Sequence, residues 1–161
     1  SAAYNDNYAG GRLATEHLIR LGHRRIAFIG NTLFRRAEAY FDVMREKGLP
    51  ATSFKDVRSF MREIKRFTAA FCFSDYLVLE LYNEAAAMKL KIPRDISVAG
   101  YDNMDFTSLL SPRPCTVDQF KKELGAAAAE ILMARINGGA VLPDRIFNPI
   151  LREGASVRLL A

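Results

Sequence analysis

The sequence has few of the residues that build metal centres or covalent cross-links. It holds two cysteines and two histidines among 161 residues. Cys72 and Cys115 stand in apolar surroundings without metal-like spacing, which favours two buried thiols in a reducing compartment over a disulfide. Two histidines do not suffice for a zinc site with these partners. The sequence therefore predicts no metal and a cytoplasmic location.

Long apolar runs are also lacking. No stretch approaches the roughly 20 residues that a membrane-crossing helix needs. The first seven residues have neither the basic nor the apolar region of a secretory signal, and there is no internal repeat. We therefore expect a folded chain without a membrane partner, large enough for one core or parts of two small ones.

Basic residues outnumber acidic ones, with a net charge of +5, and the excess lies in the first half. A basic surface can attract phosphate backbones, but cations scattered over outer helix faces are the commoner explanation. The sequence shows no helix-turn-helix, zinc-finger or RNA-binding signature.

Apolar periodicity predicts alternating helices and strands. A long helix near the end is predicted with Val117 and Leu132 on its apolar face and Gly138-Gly139 at its end. This alternation predicts an α/β fold with a doubly wound, mainly parallel sheet. The other predicted helices span about 7–21, 36–47, 57–67 and from 75 onward, and the predicted strands span 25–30, 68–73, 96–101 and 146–151.

Polar side chains follow the strand that ends at Tyr101. Asp102 and Asn103 stand just past its carboxyl end. Ligands bind at this edge of open α/β sheets because strand ends and helix starts meet there. Both residues could instead only shape a turn, but the position favours a ligand pocket.

Four blocks of the sequence resemble the ligand-binding core of LacI/GalR-type bacterial transcription repressors, in the usual order. Together they cover nearly the whole chain. The blocks are Asp6 to Gly30 with Gly10-Gly11 and Gly22-His23, Arg36 to Tyr40, Phe71 to Asp75, and Ile92 to Gly125 with Gly100-Tyr101-Asp102-Asn103 and Thr116-Val117-Asp118-Gln119.

The resemblance implies a periplasmic-binding-protein-like type I core, in which two doubly wound lobes hold a small molecule between them. Residues 1–30 and 115–140 would belong to the first, amino-terminal lobe, which is incomplete in this chain. Residues 31–114 and 141–161 would form the second, carboxyl-terminal lobe. The helix-turn-helix headpiece of such a regulator is absent from this chain.

The resemblance also implies a set of ligand-binding residues. Arg36 would supply a permanently charged fork for two ligand oxygens, and Asp102 would accept hydrogen bonds from ligand hydroxyl groups. Asp75 is as well suited to capping the helix behind it as to contacting a ligand. Besides Arg36 and Asp102, the predicted set contains Asp75, Ser74, Thr32 and Tyr8.

By the same resemblance, the chain would be the effector-sensing and dimerisation core of a repressor. A small metabolite, a sugar or sugar derivative, would bind between the lobes and change the affinity for operator DNA. Apolar side chains would pair two second lobes into a homodimer, although some of them could belong to the core. These are Leu79, Tyr82, Phe106 and Leu110.

Two other classes of function remain open. A periplasmic-type sugar-binding protein of a transport system shares the two-lobed architecture. An enzyme would need a nucleophile with a base or two matched carboxylates, and nothing beyond the closeness of Asp102 and Asp105 in the sequence points to proton transfer. We therefore predict no catalytic residue and no cofactor.

The sequence departs from the family pattern at three places. Ala39 stands where glycine is usual, and Gly154 stands where an arginine is common. The segment between Gly48 and Val57 is too short for the expected strand and its preceding loop.

Overall fold

Six strands form the main sheet, in a computed structural model that describes residues 1–138 and 141–160. All neighbouring strands run parallel except the last pair, β6 and β8. The predicted α/β fold with a mainly parallel sheet is confirmed. The strands are, in spatial order, β3 (Thr52–Phe54), β2 (Ile26–Ile29), β4 (Ala69–Cys72), β5 (Ser97–Tyr101), β6 (Cys115–Asp118) and β8 (Ile150–Arg152).

Helices cover both faces of this sheet, because the central strands are apolar on both sides. All residues of β2 and β4 are buried. The helices α1 (Asn7–Arg20) and α2 (Arg35–Glu46) pack on one face, and α3 (Val57–Met61) and α4 (Asp75–Ala87) pack on the other. Each large apolar side chain buried in this way contributes about 1.5–3 kcal/mol.

A second, two-stranded sheet lies apart from the first. Its strands β1 (Ala3–Asn5) and β7 (Arg145–Phe147) pair in parallel, and α5 (Lys121–Ile136) packs against β1. Three connections join this unit to the main sheet: β1 to α1, β6 to α5, and β7 to β8. Ile136 and Ile146 on this unit are exposed.

The main sheet crosses the lobe boundaries expected from the resemblance. Those boundaries placed β2 and β6 in the first lobe, whereas both strands pair within the main sheet. The reason is that β3 and β4 take up the backbone hydrogen bonds of β2 on its two sides, while helices cover both of its apolar faces. How the remaining elements divide between lobes stays a prediction.

Four element predictions differ from the structure. The helix predicted over 57–67 ends at Met61, and a separate 3-10 turn follows at Ile64–Arg66. The segment judged too short for a strand contains β3, and the predicted last strand is divided into β7 and β8. The long helix begins only at Lys121. Of the residues predicted on its apolar face, Val117 lies in β6 instead, and Leu132 is 58% exposed. Gly139, predicted to end that helix, lies outside the described residues.

Close packing explains two of the departures from the family pattern. A Cβ atom on Gly11 of α1 would lie 2.8 Å from the Cβ atom of Ala39 on α2, so the bare backbone of α1 makes room for the alanine. A Cβ atom on Gly154 would lie 2.5 Å from the carbonyl oxygen of Arg113. An arginine at position 154 therefore does not fit this arrangement without movement of the chain at Arg113.

Candidate functional site

The start of α2 meets the carboxyl ends of β4 and β5 at one edge of the main sheet. Arg36 and Asp102, which are 66 positions apart in the sequence, form an ion pair there with 3.4 Å between Nη1 and Oδ1. The arginine is 8% exposed, and the side chain of Asp102 is 17% exposed. The structure therefore brings together the two residues predicted to hold a ligand.

Several contacts fix the Arg36 guanidinium. Nη1 donates to the carbonyl oxygen of Phe73 at 2.8 Å, and Nη2 donates to Oδ1 of Asn7 at 2.6 Å. The guanidinium lies 3.8 Å from the ring centre of Tyr101 and 4.5 Å from that of Phe73, which adds cation–π attraction. Its Nε atom is buried without a hydrogen-bond partner among the described residues.

Asp102 sits in a strained turn at the end of β5. Its φ of 105° lies in the left-handed region that favours glycine. Oδ1 accepts from Nε2 of Gln119 at 2.5 Å as well as from Arg36, whereas Oδ2 accepts from no described residue. Burial raises the pKa of Asp102, and the charge of Arg36 opposes this rise. The free oxygen can accept a hydrogen bond from a ligand hydroxyl group.

Asp75 lies beneath this turn and is fully buried. Oδ2 accepts from the backbone N–H of Met104 at 2.9 Å, and Oδ1 accepts from the Thr116 hydroxyl at 2.7 Å. Burial raises the pKa of Asp75 to about 6. The structure thus gives Asp75 a task that sequence reasoning missed: it anchors the turn that carries Asp102. Its predicted neighbour Ser74 is half-buried at the start of α4 and makes no side-chain capping bond.

Within residues 1–138 and 141–160, neither of the last two predicted ligand residues bonds to the ion pair. Thr32 is exposed in the loop before α2. The Tyr8 hydroxyl donates to Oδ2 of Asp42 at 2.8 Å, a bond that raises the pKa of Tyr8. Tyr8 also borders a cavity of about 340 Å³, whose other lining residues are Tyr4, Asn5, Asp6, Asn7, Arg35 and Ile146.

The residues predicted to form a dimer surface divide into two groups. Tyr82 and Leu110 pack against the main core, and the Tyr82 hydroxyl donates to the carbonyl oxygen of Pro112. Phe106 and Leu79 are partly exposed. The ring of Phe106 contacts that of Tyr76 in a tilted arrangement with 5.2 Å between the ring centres, and Tyr76 is 61% exposed.

Sequence reasoning missed the amides around the ion pair. Asn5, Asn7 and Gln119 all make side-chain hydrogen bonds within this network. Gln119 stands in a block that resembles the family, but an amide between two elements carries no periodic signal. Among residues 1–138 and 141–160, no three histidine, cysteine or acidic side chains are grouped as metal ligands. No helix in the same ranges is long and apolar enough to cross a membrane.

Fold and site together define a periplasmic-binding-protein-like domain with a polar edge at the carboxyl ends of its parallel strands. Residues 15–157 match the family model described as periplasmic binding protein-like domain. The chain belongs to this family, and the solved structures that it resembles include a regulator of the LacI family.

The curated relatives are repressors. Identity is 33% over 150 residues with the HTH-type transcriptional repressor PurR of Actinobacillus pleuropneumoniae serotype 3 (strain JL03), covering 82% of this chain and 45% of the relative. Identity with the ribose operon repressor of Escherichia coli (strain K12) is 31% over 171 residues, covering 94% of this chain and 52% of the relative. The chain thus spans about half the length of these relatives.

A solved structure shares the whole fold of this chain. It is a LacI family transcriptional regulator from Enterococcus faecium with bound ribose, with a TM-score of 0.92 and 25% identity. The match covers 100% of this chain and 67% of that one. The homologues are therefore transcriptional regulators rather than enzymes.

Proposed function

We propose that this chain is the effector-sensing and dimerisation core of a LacI-type repressor that binds a sugar or sugar derivative. The observation that carries the proposal is the Arg36–Asp102 pair at the carboxyl edge of the parallel sheet. In the complete protein, the ligand would lie between two lobes and favour one of their relative orientations. That preference would change the affinity of a helix-turn-helix headpiece for operator DNA.

The chemistry of the edge suits a polyhydroxylated ligand. Oδ2 of Asp102 is a free acceptor, the guanidinium offers donors, and the ring of Phe73 gives an apolar wall beside them. Ligand sites of this kind combine apolar walls with a few fixed polar groups. The repressor relatives favour regulation over transport, and buried free cysteines suit the cytoplasm.

The proposal predicts that ligand binding depends on the ion pair. We use ribose as the probe because it is bound in the Enterococcus faecium regulator. In the complete protein, Arg36→Gln and Asp102→Asn are each expected to weaken ribose binding at least about tenfold, as loss of one charge-assisted hydrogen bond of about 1.5–3 kcal/mol requires. Isothermal titration calorimetry measures this effect.

Arg12→Gln is the matched control, because Arg12 pairs with Glu16 and Glu46 outside this edge. It is expected to bind ribose as the wild type does. Normal binding by both site variants would disprove the site assignment.

We also propose that Phe106 and Leu79 form part of a homodimer surface together with Tyr76. Phe106→Glu is expected to shift the protein from dimer to monomer in sedimentation equilibrium, because a charge is costly in an apolar interface. Leu132→Glu, at an exposed position of α5, is the control. An unchanged dimer in Phe106→Glu would contradict the proposed surface.

A further inference from the structure

A chain of side-chain hydrogen bonds joins Asp102 to the connections between the two sheets. Nε2 of Gln119 donates to Oδ1 of Asp102 at 2.5 Å, and Nδ2 of Asn5 donates to Oε1 of Gln119 at 2.7 Å. Gln119 lies in the connection from β6 to α5, and Asn5 ends β1 just before α1. The site at the end of β5 is therefore linked to two of the three connections.

A second branch reaches the same place. Nη1 of Arg36 contacts Oδ1 of Asp102, while Nη2 donates to Oδ1 of Asn7 at 2.6 Å. Both branches start at one carboxylate oxygen and end within residues 5–7, where β1 passes into α1. We call the side chains of Asn5, Asn7, Arg36, Asp102 and Gln119 the relay.

Asn5 has little means of compensating for the loss of its partner. It is 7% exposed, and its Oδ1 atom is buried without a hydrogen-bond partner among the described residues. In the part of the chain that the structure describes, its Nδ2 group donates to Gln119 alone, to the side-chain oxygen Oε1 and to the backbone carbonyl oxygen. If Gln119 moved away, a buried donor would lose its bonds, which is costly. The position of Gln119 is thus coupled to the geometry of the connections.

We propose that Gln119 is a positioning residue that reports the occupancy of Asp102 to the connections between the two units. A ligand hydroxyl that donates to the free Oδ2 atom of Asp102 draws negative charge away from Oδ1 of the same carboxylate, and this weakens the bond that Gln119 donates to Oδ1. When Gln119 gives way, its bonds to Asn5 are released, and the connections at residues 5–7 and 118–120 gain freedom to change direction. This inference rests on the proposed function for the ligand, but the relay is present without one.

The first test needs no ligand. In the complete protein, Asp102→Ala is expected to speed amide hydrogen exchange of Asp6 and Phe120 about fivefold, the factor for one net hydrogen bond. The backbone amide of Asp6 donates to the carbonyl oxygen of Phe147, and that of Phe120 donates to Oδ1 of Asp118. Neither amide therefore reports a direct bond to Asp102. Gln119→Leu is expected to give the same pattern and serves if Asp102→Ala does not fold.

Asp42→Ala is the control, because this carboxylate binds Tyr8 and Arg45 outside the relay. Unchanged exchange at Asp6 and Phe120 in both relay variants would overturn the inference, as would equal acceleration throughout the protein.

The second test adds ribose to the wild type. Exchange at the same two amides is expected to change on binding, and binding without such a change would overturn the relay. A failure of ribose to bind would count against the proposed sugar site alone, because the ligand-free variants decide the relay separately.

Discussion

Gly100→Ala is expected to destabilise the protein by about 3 kcal/mol or more, which is the upper end of the usual cost of overpacking a core. That loss is a large part of the free energy of unfolding of a typical protein, about 5–15 kcal/mol. A Cβ atom at this position of β5 would lie 2.2 Å from Oδ1 of Asp75 and 2.8 Å from Cγ2 of Val78. Both side chains are fully buried on α4. The methyl group would displace the carboxylate from Thr116, and the anchor beneath the Asp102 turn would be lost. Urea unfolding measures the change.

Gly125→Ala is the matched control, since Gly125 lies within α5 and a Cβ atom there would meet nothing within 4 Å. This variant is expected to gain about 0.5–1 kcal/mol from helix propensity. A double variant that adds Asp75→Ala to Gly100→Ala should lose less stability than the sum of the single changes. Simple additivity would show that the methyl group and the carboxylate do not compete.

Asp75→Asn is expected to remove a pH dependence of the free energy of unfolding. The pKa of Asp75 is about 6 in the folded protein, above the value near 3.9 of an unfolded chain. The stability that comes from its protonated form is therefore present below about pH 4 and lost as the pH rises through 6. Relative to Asp75→Asn, the free energy of unfolding of the wild type is expected to fall by about 2–3 kcal/mol as the pH rises from about 4 to 7.

The amide can replace both hydrogen bonds, because its oxygen accepts from Met104 and the Thr116 hydroxyl can accept as well as donate. Urea unfolding at several pH values checks the difference. Asp95→Asn is the control of opposite sign, because Arg94 lowers the pKa of Asp95, which contributes stability that is lost on acidification. Parallel curves for the wild type and Asp75→Asn would show that Asp75 does not titrate in this range.

The main strands could be predicted from the sequence because their signal is local. Ile26–Ile29 and Ala69–Cys72 are short apolar runs, and such runs become central strands when both faces are covered. The strand Thr52–Phe54 could not be predicted, since three residues with two hydroxyl side chains carry no such pattern. The strand β7 was predicted only as part of one longer last strand, because it has no buried residue and its pairing with β1 leaves no local signal.

For the site, the Arg36–Asp102 pair was predictable only through the resemblance to a family. Local physics places Asp102 at a strand end, but nothing local brings an arginine 66 positions away to within 3.4 Å of it. The burial of Asp75 was hidden for a related reason. A carboxylate at a helix start fits a cap equally well, and only the tertiary structure shows the Met104 amide and the Thr116 hydroxyl converging on it.

The main sheet ends on each side in a strand of only three residues, β3 and β8. An outer strand exposes unpaired backbone groups that can recruit another chain, and short outer strands limit this hazard. On β8, the exposed Arg152 bonds to Asp118 and adds a charge at the rim. We therefore expect this sheet to resist edge-to-edge aggregation even when the protein is concentrated.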